Sequence, residues 1–319
     1  MSSAICTIFE GHYHFGVAAL ANSLYTQGFR GALYAGYRGE IPRWASSAKQ
    51  NNVLDWPGNS TLEVAPGLEL HFLPLNTDYH LTNFKPDFML TLWQSVAGEA
   101  EAMFYFDPDI VVTTPWSLFE EWITCGIALC EDINSPLAQY HPMRVAWRRY
   151  FEPKGFSLKF KEAIYANGGF IGVSIKNRGF ISRWQMLQEA MAPAIGGLNR
   201  SSFTALNYPL PFDPFGKTDQ DALNATVEAC ENEIFSFVGQ EGMSFKPGVP
   251  LMSHALGKNK PWLSQYLIQA INGQSPRTVD RDYWQASKGP ILLYSPSLIR
   301  AKIIAIKIAA LIGRFYRIK

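Results

Sequence analysis

Short apolar runs alternate with longer amphipathic segments along most of the 319-residue chain. Runs of about four to eight apolar or β-branched residues are typical of buried strands, whereas apolar residues spaced three and four apart predict helices. Because the two patterns alternate, we predict an α/β chain with a doubly wound, mostly parallel central sheet. The predicted strands are 4–10, 32–37, 68–73, 103–106, 126–131, 169–175 and, as the last strand, 233–238; the predicted helices are 15–28, 88–100 and 219–230.

Two aspartates, Asp107 and Asp109, interrupt an apolar run that reads Met-Phe-Tyr-Phe before them and Ile-Val-Val after them. Proline is excluded from central strands, and charges are rarely buried without a partner. We therefore predict that the strand ends at Phe106 and that both carboxylates stand in a loop at its carboxyl end, outside the core. Ligands of such sheets bind at that edge, and two carboxylates one residue apart can converge on a hard divalent cation. An isolated Asp-x-Asp also occurs in solvated turns.

The segment 252–262, which reads MSHALGKNKPW, offers three groups of different chemistry. His254 is a candidate for a third metal ligand, Gly257 would let a backbone amide approach a phosphate, and Lys260 would neutralise one. A lone histidine is more often structural or exposed, and Lys-Pro-Trp also suits a surface turn. By itself the segment leaves a phosphate site and a surface turn both open.

Two further polar stretches precede this segment. In 218–225 (TDQDALNA), Asp219 and Asp221 open a predicted helix; they cannot both be core residues of one helical face, so we expect them to cap its first amides or to meet a ligand. In 165–174 (YANGGFIGVS), Asn167 and the two glycines after it form either a plain turn or a loop that approaches a polar ligand closely. Neither stretch decides between its alternatives alone.

Together the stretches YFDPDIVV, NGGFIGV, DQDALN and HALGKNKPW, in this order, resemble the retaining glycosyltransferases of the A-type fold that include bacterial lipopolysaccharide galactosyl- and glucosyltransferases and glycogenin. The resemblance spans residues 4–262. It implies one Rossmann-like nucleotide-diphospho-sugar transferase domain, which we place at 1–290. It also implies metal-dependent transfer of a hexose from a UDP-sugar to a saccharide or lipid-linked saccharide acceptor, in the synthesis of cell-surface polysaccharide such as lipopolysaccharide.

The resemblance assigns a metal site and a diphosphate site. Asp107, Asp109 and His254 would hold Mn²⁺ or Mg²⁺, which bridges the diphosphate of the donor, and Asp107 would also count among the donor-binding residues. Gly257 and Lys260 would contact the diphosphate directly. No nucleic-acid partner is implied.

The resemblance also assigns the sugar and base ends of the donor site. Asp219, which would hydrogen-bond sugar hydroxyls, and Gln220, which would lie on the β-face of the anomeric carbon, are the implied catalytic residues. Because a neutral amide is a poor nucleophile, we favour same-face attack by the acceptor hydroxyl over a covalent intermediate. Glu10 stands where the family has an aspartate. Further donor contacts are implied for Tyr13, which would stack on the base, and for Lys85, Asn167, Asp221 and either Glu131 or Asp132.

Composition and charge limit the possible partners and the cellular location of the protein. With 47% hydrophobic residues and a net charge of +1, the chain has enough apolar residues for a large core and gives no general case for nucleic-acid binding. The four cysteines show no metal spacing or disulfide framework, and we expect Cys125 and Cys130 to be small buried thiols. No signal-peptide pattern and no apolar run of about 20 residues is present, so we expect a cytoplasmic protein without a membrane span.

The stretch 291–319 reads as a basic amphipathic tail. After Ser297 it holds six cations and no acid. A broad apolar face with basic flanks is typical of a helix that lies in a membrane interface, although a helix packed on the domain with a basic outer side is the alternative. We predict reversible docking to the anionic inner face of the cytoplasmic membrane, which would suit a lipid-linked acceptor. The predicted face consists of Leu298, Ala301, Ile304, Ala305, Ile308, Leu311, Ile312 and Phe315.

Two other functions compete with sugar transfer. A sugar-nucleotide nucleotidyltransferase would use the same aspartates, but the loop EGHYHFG after the first strand lacks the glycine-rich, basic character that cradles a triphosphate. A carbohydrate- or nucleotide-binding protein without turnover is the second rival.

The loop-rich segment 192–218, with its glycines and prolines, is the candidate for an acceptor-side loop.

Overall fold

Strands and helices alternate along the chain, as the hydrophobic pattern predicts. The computed structural model describes residues 2–202, Thr204 and residues 212–315. The strands of this part are β1 (Ser3–Glu10), β2 (Gly31–Arg38), β3 (Ser60–Ala65), β4 (Leu68–Pro74), β5 (Ala102–Phe106), β6 (Ile110–Val112), β7 (Ile127–Glu131), β8 (Ala166–Ser174), β9 (Phe235–Val238) and β10 (Met252–His254). Its α-helices are α1 (His14–Thr26), α2 (Lys85–Gln94), α3 (Trp116–Trp122), α4 (Pro142–Phe151), α5 (Gly179–Ile195), α6 (Thr218–Ala229), α7 (Tyr266–Ile271), α8 (Thr278–Ala286) and α9 (Pro296–Phe315).

Eight strands form the central sheet, in the order β3-β4-β2-β1-β5-β8-β7-β9. All of them run in one direction except β3 and β8, which pair antiparallel with their neighbours. The predicted α/β fold with a mostly parallel sheet is confirmed. Since β8 runs against the others, its amino end lies at the edge where the parallel strands have their carboxyl ends. The short strands β6 and β10 form a separate antiparallel pair.

Both faces of the sheet are covered, which explains why β5 is apolar at every position. Met103 and Tyr105 pack into the core on the face that also holds Phe88 of α2. Phe104 and Phe106 point to the opposite face, where they join Leu20 of α1. Successive strand residues alternate between faces, so a strand buried on both sides reads as a continuous apolar run.

Several element boundaries differ from the prediction. The strand predicted to be the last one, 233–238, is followed by β10. Helix α2 occupies 85–94 rather than 88–100. It begins earlier than predicted because Pro86 falls in its first turn, a favourable place for proline. Strands β3 and β10 and helices α3, α4, α5, α7 and α8 were not predicted. The predicted loop 192–218 begins inside α5; its residues Phe203 and 205–211 lie outside the described residues.

The prediction of small buried thiols is wrong for one of the two cysteines. Cys125 is exposed, in the short turn of helix that precedes β7, whereas Cys130 is buried within β7. Both follow the same apolar run, and the sequence pattern does not reveal that Cys125 falls before the strand begins.

Helix α9 packs on the domain with one side and exposes another apolar side. Its buried residues Ile299, Ile306 and Ala309 join a cluster with Tyr266 and Trp284. Residues 316–319 of the predicted tail lie outside the described residues. None of the described helices is long and apolar enough to cross a membrane. The exposed apolar side of the helix is formed by Leu298, Ile304, Ile308 and Leu311, which are 42–56% exposed.

Candidate active site

A cavity of about 570 Å³ opens at the carboxyl edge of the central sheet. The ends of β1 and β5, the start of β8 and the start of α6 border it, together with the segment that follows β10. Of the residues that the sequence singles out for the site, Asp221 and Glu131 are absent from the cavity lining. Those that line it include Tyr13, Lys85, Asp107, Asp109, Asn167, Asp219, Gln220, His254, Gly257 and Lys260.

Asp107, Asp109 and His254 form an acidic cluster at one end of the cavity. One possible ligand atom from each residue lies within 4.8 Å of the others. Nε2 of His254 is 3.3 Å from Oδ1 of Asp109 and 3.7 Å from Oδ2 of Asp107. The antiparallel pairing of β6 with β10 sets His254 opposite Ile110 and so brings the imidazole to the Asp-Pro-Asp loop. Two carboxylates and one imidazole suit a divalent cation such as Mn²⁺.

Gly169 makes room for this cluster. A Cβ atom at this position would lie 2.5 Å from Cε1 of His254 and 3.0 Å from Oδ2 of Asp107. Any larger residue would therefore displace two of the three candidate ligands. The second glycine of the NGGFIGV stretch is therefore required by the limited space beside the candidate metal ligands.

Asp109 is buried, which corrects the prediction that it stands outside the core. Its carboxylate accepts a hydrogen bond from Nζ of Lys260, and that ammonium also donates to the carbonyl of Ala255 at 2.7 Å. Burial acts to raise the pKa of Asp109, but the neighbouring His254 and Lys260 outweigh it and hold that pKa well below its usual range. The charge is tolerated in the interior because two basic groups accompany it.

Lys85 connects the acidic cluster to the other end of the cavity. Its buried ammonium lies 3.1 Å from Oδ1 of Asp107 and 2.9 Å from Oδ2 of Asp219, and it donates to the carbonyl of Gly168 at 2.9 Å. The lysine is the first residue of α2, so the start of this helix fixes its position at the site.

Asp219 and Asp221 are both buried, but on different sides of α6, in keeping with the prediction that they cannot both be core residues of one helical face. They point in different directions from the first turn of α6: Asp219 meets Lys85, whereas Asp221 accepts hydrogen bonds from the Tyr165 hydroxyl at 2.6 Å and the Lys217 amide at 2.7 Å. Burial raises the pKa of Asp219, and it raises the pKa of Asp221 to about 7. Asp221 therefore lies behind the cavity lining and stabilises the start of α6.

A hydrogen-bonded group of amides and one acid lies at the same end of the cavity. Gln220 accepts a hydrogen bond from the Gly168 amide at 2.9 Å, and its buried side-chain nitrogen has no hydrogen-bond partner among the described residues. Asn167 donates to Oδ2 of Asp132 at 2.6 Å. Of the two acids left open by the sequence, Asp132 lines the cavity and Glu131 is absent from its lining.

Aromatic side chains pack together beside the cavity near the end of β1. His12 stacks on Tyr13 with 4.8 Å between ring centroids, and the indole nitrogen of Trp262 donates to His12 at 2.9 Å. The ammonium of Lys260 lies 5.4 Å from the ring centroid of Tyr13. Glu10 also lines this end and pairs with Arg38 at 2.9 Å. The turn after β1 and the Lys-Pro-Trp segment therefore hold each other in place.

Arg277 supports the loop that carries Gly257, a role that no pattern in the sequence predicts. Its guanidinium donates to the carbonyl of Leu256 at 2.9 Å and to that of Asn259, while Asp280 holds it at 3.2 Å. Gly257 has a φ of +77°, a left-handed conformation that favours glycine. No local pattern links an arginine just before α8 to this loop, so only the folded chain brings them together.

Comparison with known proteins gives a fold but no sequence relative. No family model matches the chain, and no curated protein matches its sequence. Solved structures do match: the bifunctional glycosyltransferase WbbM (12% identity, TM-score 0.50), an active-site mutant of LgtC (14%, 0.51) and the glycosyltransferase GlyE of Streptococcus pneumoniae TIGR4 (14%, 0.50). The matches cover 94–97% of this chain. The chain spans 52% of WbbM and 64% of GlyE, but 99% of LgtC. The chain thus has the fold of these A-type glycosyltransferases.

Proposed function

We propose that the chain is a metal-dependent retaining glycosyltransferase that moves a hexose from a UDP-sugar to a saccharide or lipid-linked saccharide, in the synthesis of cell-surface polysaccharide. One observation carries this proposal. A single cavity holds the Asp107, Asp109 and His254 cluster at one end and, joined to it through Lys85, the polar group around Gln220 at the other. This arrangement suits a ligand with a diphosphate beside a sugar.

The acidic cluster is the proposed site of Mn²⁺ or Mg²⁺. Its two carboxylates and its imidazole match the ligand preferences of these ions, and Gly169 leaves the room that the cluster needs. When bound, the ion would offset the negative charge that develops on the leaving diphosphate. Lys260, with Nζ beside Asp109, and the glycine turn at Gly257 would hold the phosphates from the other side.

The proposed chemistry is same-face substitution. The bond between the anomeric carbon and the diphosphate oxygen breaks, the acceptor hydroxyl oxygen bonds to that carbon, and the hydroxyl proton passes to a leaving phosphate oxygen. Gln220 is a neutral amide held by Gly168, and Asp219 is paired with Lys85, so neither is a free nucleophile. An α-linked product by NMR is expected, and a β-linked product would contradict retention.

A membrane-borne acceptor is the second part of the proposal. Helix α9 keeps Leu298, Ile304, Ile308 and Leu311 exposed on its outer side, and the exposed cations Arg300 and Lys307 lie on the same helix. Apolar side chains flanked by cations suit an anionic lipid surface. We therefore place the protein in the cytoplasm, peripherally attached to the inner face of the cytoplasmic membrane.

The proposed tail is anchored to the proposed catalytic domain. Asn22 of α1 donates to the carbonyl of Ile291 at 2.9 Å and accepts from its amide at 2.8 Å. Lys302 donates to the carbonyl of Ser264 at 3.0 Å. We keep 1–290 as the catalytic part and 291–319 as the membrane-directed part, with these contacts fixing the orientation of the second on the first.

Crystals soaked with manganese and a panel of nucleotide sugars test the proposal. We expect an ion coordinated by Asp107, Asp109 and His254, the diphosphate beside Lys260, and the sugar beside Gln220. Binding of the nucleotide sugars elsewhere, or no binding with manganese present, would contradict the proposed function.

A further inference from the structure

Lys217 places a positive charge in the end of the cavity that holds Gln220 and Asn167. Its side chain is 45% exposed, and Nζ lies 4.0 Å from Oδ1 of Asp132. The residue lines the cavity from the position just before α6. A cation at a helix N-terminus is unfavourable because the helix dipole is positive there. The position therefore gives the lysine no stabilising role in the helix.

The backbone of Lys217 is held firmly although its side chain is not. Its amide donates to Oδ2 of Asp221 at 2.7 Å, and its carbonyl accepts from the Asp221 amide at 2.9 Å. The lysine is thus presented to the cavity from a fixed point.

Asp132 has hydrogen-bond donors other than Lys217. Oδ1 of this buried carboxylate accepts from the Asn134 amide at 2.9 Å, and Oδ2 accepts from Asn167 at 2.6 Å. A separation of 4.0 Å is too long for a hydrogen bond from the lysine. Most of the hydrogen-bonding capacity of the ammonium is therefore available to a ligand.

The other two lysines of the cavity are already engaged. Lys85 lies between Asp107 and Asp219, and Lys260 donates to Asp109. Lys217 is the cavity lysine for which the described residues provide no hydrogen-bonded acid. A negatively charged ligand group would meet its charge first.

We propose that Lys217 recognises an anionic substituent, a carboxylate or a phosphate, on the sugar held beside Asp132 and Asn167. The inference rests on the proposed function and adds a substrate class to it: charged sugars rather than neutral hexoses alone. Two sources supply such a group. One is a hexuronic acid in the donor, and the other is an acidic or phosphorylated sugar in the acceptor.

The donor source is tested by hydrolysis without any acceptor. UDP release is measured for UDP-glucose, UDP-galactose, UDP-glucuronate and UDP-galacturonate. If the donor carries the anion, the wild-type protein should favour a hexuronate in kcat/KM by about tenfold or more, as expected for a hydrogen bond between charged groups. Lys217→Gln should abolish this preference, Lys217→Arg should retain much of it, and Lys246→Gln, which changes an exposed lysine outside the cavity lining, should leave it unchanged.

The acceptor source is tested with a neutral donor and paired acceptors. Transfer to a glucoside is compared with transfer to the matching glucuronide and sugar phosphate. If the acceptor carries the anion, Lys217→Gln should lower transfer to the charged acceptors by about tenfold relative to the neutral one.

The outcomes separate this inference from the proposed function. If Lys217→Gln is active and its preference between neutral and charged donors and acceptors is unchanged, the proposed role of Lys217 is wrong. The proposed function is not affected by that result. The absence of UDP release from every nucleotide sugar in the wild-type protein contradicts the proposed function and removes this inference with it.

Discussion

Lys85 and Asp219, which are 134 residues apart in the sequence, form a buried ion pair with 2.9 Å between Nζ and Oδ2. The same ammonium lies 3.1 Å from Asp107. One lysine therefore joins a proposed metal ligand to a residue proposed to contact the donor sugar. The two ends of the cavity are held in a fixed relation by this contact.

Replacing Lys85 should destabilise the fold as well as the site. Lys85→Met leaves the carboxylates of Asp107 and Asp219 without their shared cation, and breaking a buried pair in this way costs about 3–5 kcal/mol. Lys85→Arg keeps the charge and should lose less stability. Urea unfolding measures both variants, and an unchanged midpoint in Lys85→Met would show that the pair contributes little.

Arg277 should act on diphosphate binding through the loop at Gly257. Arg277→Gln removes the donors to the carbonyls of Leu256 and Asn259, so the loop loses its support. We expect the affinity for UDP with Mn²⁺ to fall about tenfold, a loss of about 1.4 kcal/mol, with a smaller change for UMP. Titration calorimetry compares the two ligands, and Arg281→Gln on the same helix is the matched control. Equal losses for UDP and UMP would contradict a role specific to the diphosphate.

Asp221 should make the stability depend on pH. Burial raises its pKa to about 7; Tyr165 and Lys217 oppose this rise, and Asp213 adds to it. Between about pH 4 and pH 7 the unfolded chain loses a proton that the folded state keeps, so the contribution of Asp221 to stability falls as the pH rises and levels off above pH 7.

Asp221→Asn should remove this dependence, since an amide can still accept from the Lys217 amide and donate to the Tyr165 oxygen. The stability of the variant relative to the wild type should increase from pH 4 to pH 8 by an amount on the order of a few kcal/mol. Urea unfolding of both proteins at several pH values measures this difference in stability. Parallel profiles for the two proteins would show that Asp221 is ionised in the folded state throughout.

The outer side of α9 should determine membrane binding. Ile304→Glu with Ile308→Glu places acids on exposed positions, so folding should persist while binding to anionic vesicles is lost. Each cation near an anionic surface contributes about 1 kcal/mol, and salt weakens this part of the attraction. Sedimentation with anionic and neutral vesicles measures the effect.

Val53→Glu, at an apolar position that is 91% exposed elsewhere on the surface, is the control for that experiment. Binding that survives the double substitution would contradict the assignment of this face. Deleting α9 is a poor substitute, because it would expose Tyr266 and Trp284 of the cluster that the helix covers.

The sequence predicts the parts of the site that local pattern determines. The apolar run before Asp107 predicts the end of β5, and the burial of that strand on both faces is visible as a continuous hydrophobic stretch. Local pattern does not reveal the burial of Asp109 and Asp221, because it depends on Lys260 and Tyr165, which are distant in sequence. A buried charge can be predicted only once its partner is known.

Short or indirect features are also invisible in the sequence. Strand β10 has three residues, too few for a period-two pattern, yet its pairing with β6 places His254. Arg277 contacts the loop at Gly257 and Lys217 lines the cavity, yet in the sequence both resemble ordinary surface cations. The exposed position of Cys125 depends on where β7 begins, and strand boundaries are the least predictable part of an element.

Release of UDP from UDP-sugars, measured with Mn²⁺ and then with excess chelator, tests the central claim most directly. We predict that the wild-type protein releases UDP with the metal, loses at least about 10²-fold in rate with the chelator, and recovers when Mn²⁺ is restored. Asp109→Asn, which keeps the shape of the buried side chain, should show a similar loss with the metal present. Full UDP release in excess chelator, or full activity of Asp109→Asn, would contradict a metal site at Asp107, Asp109 and His254.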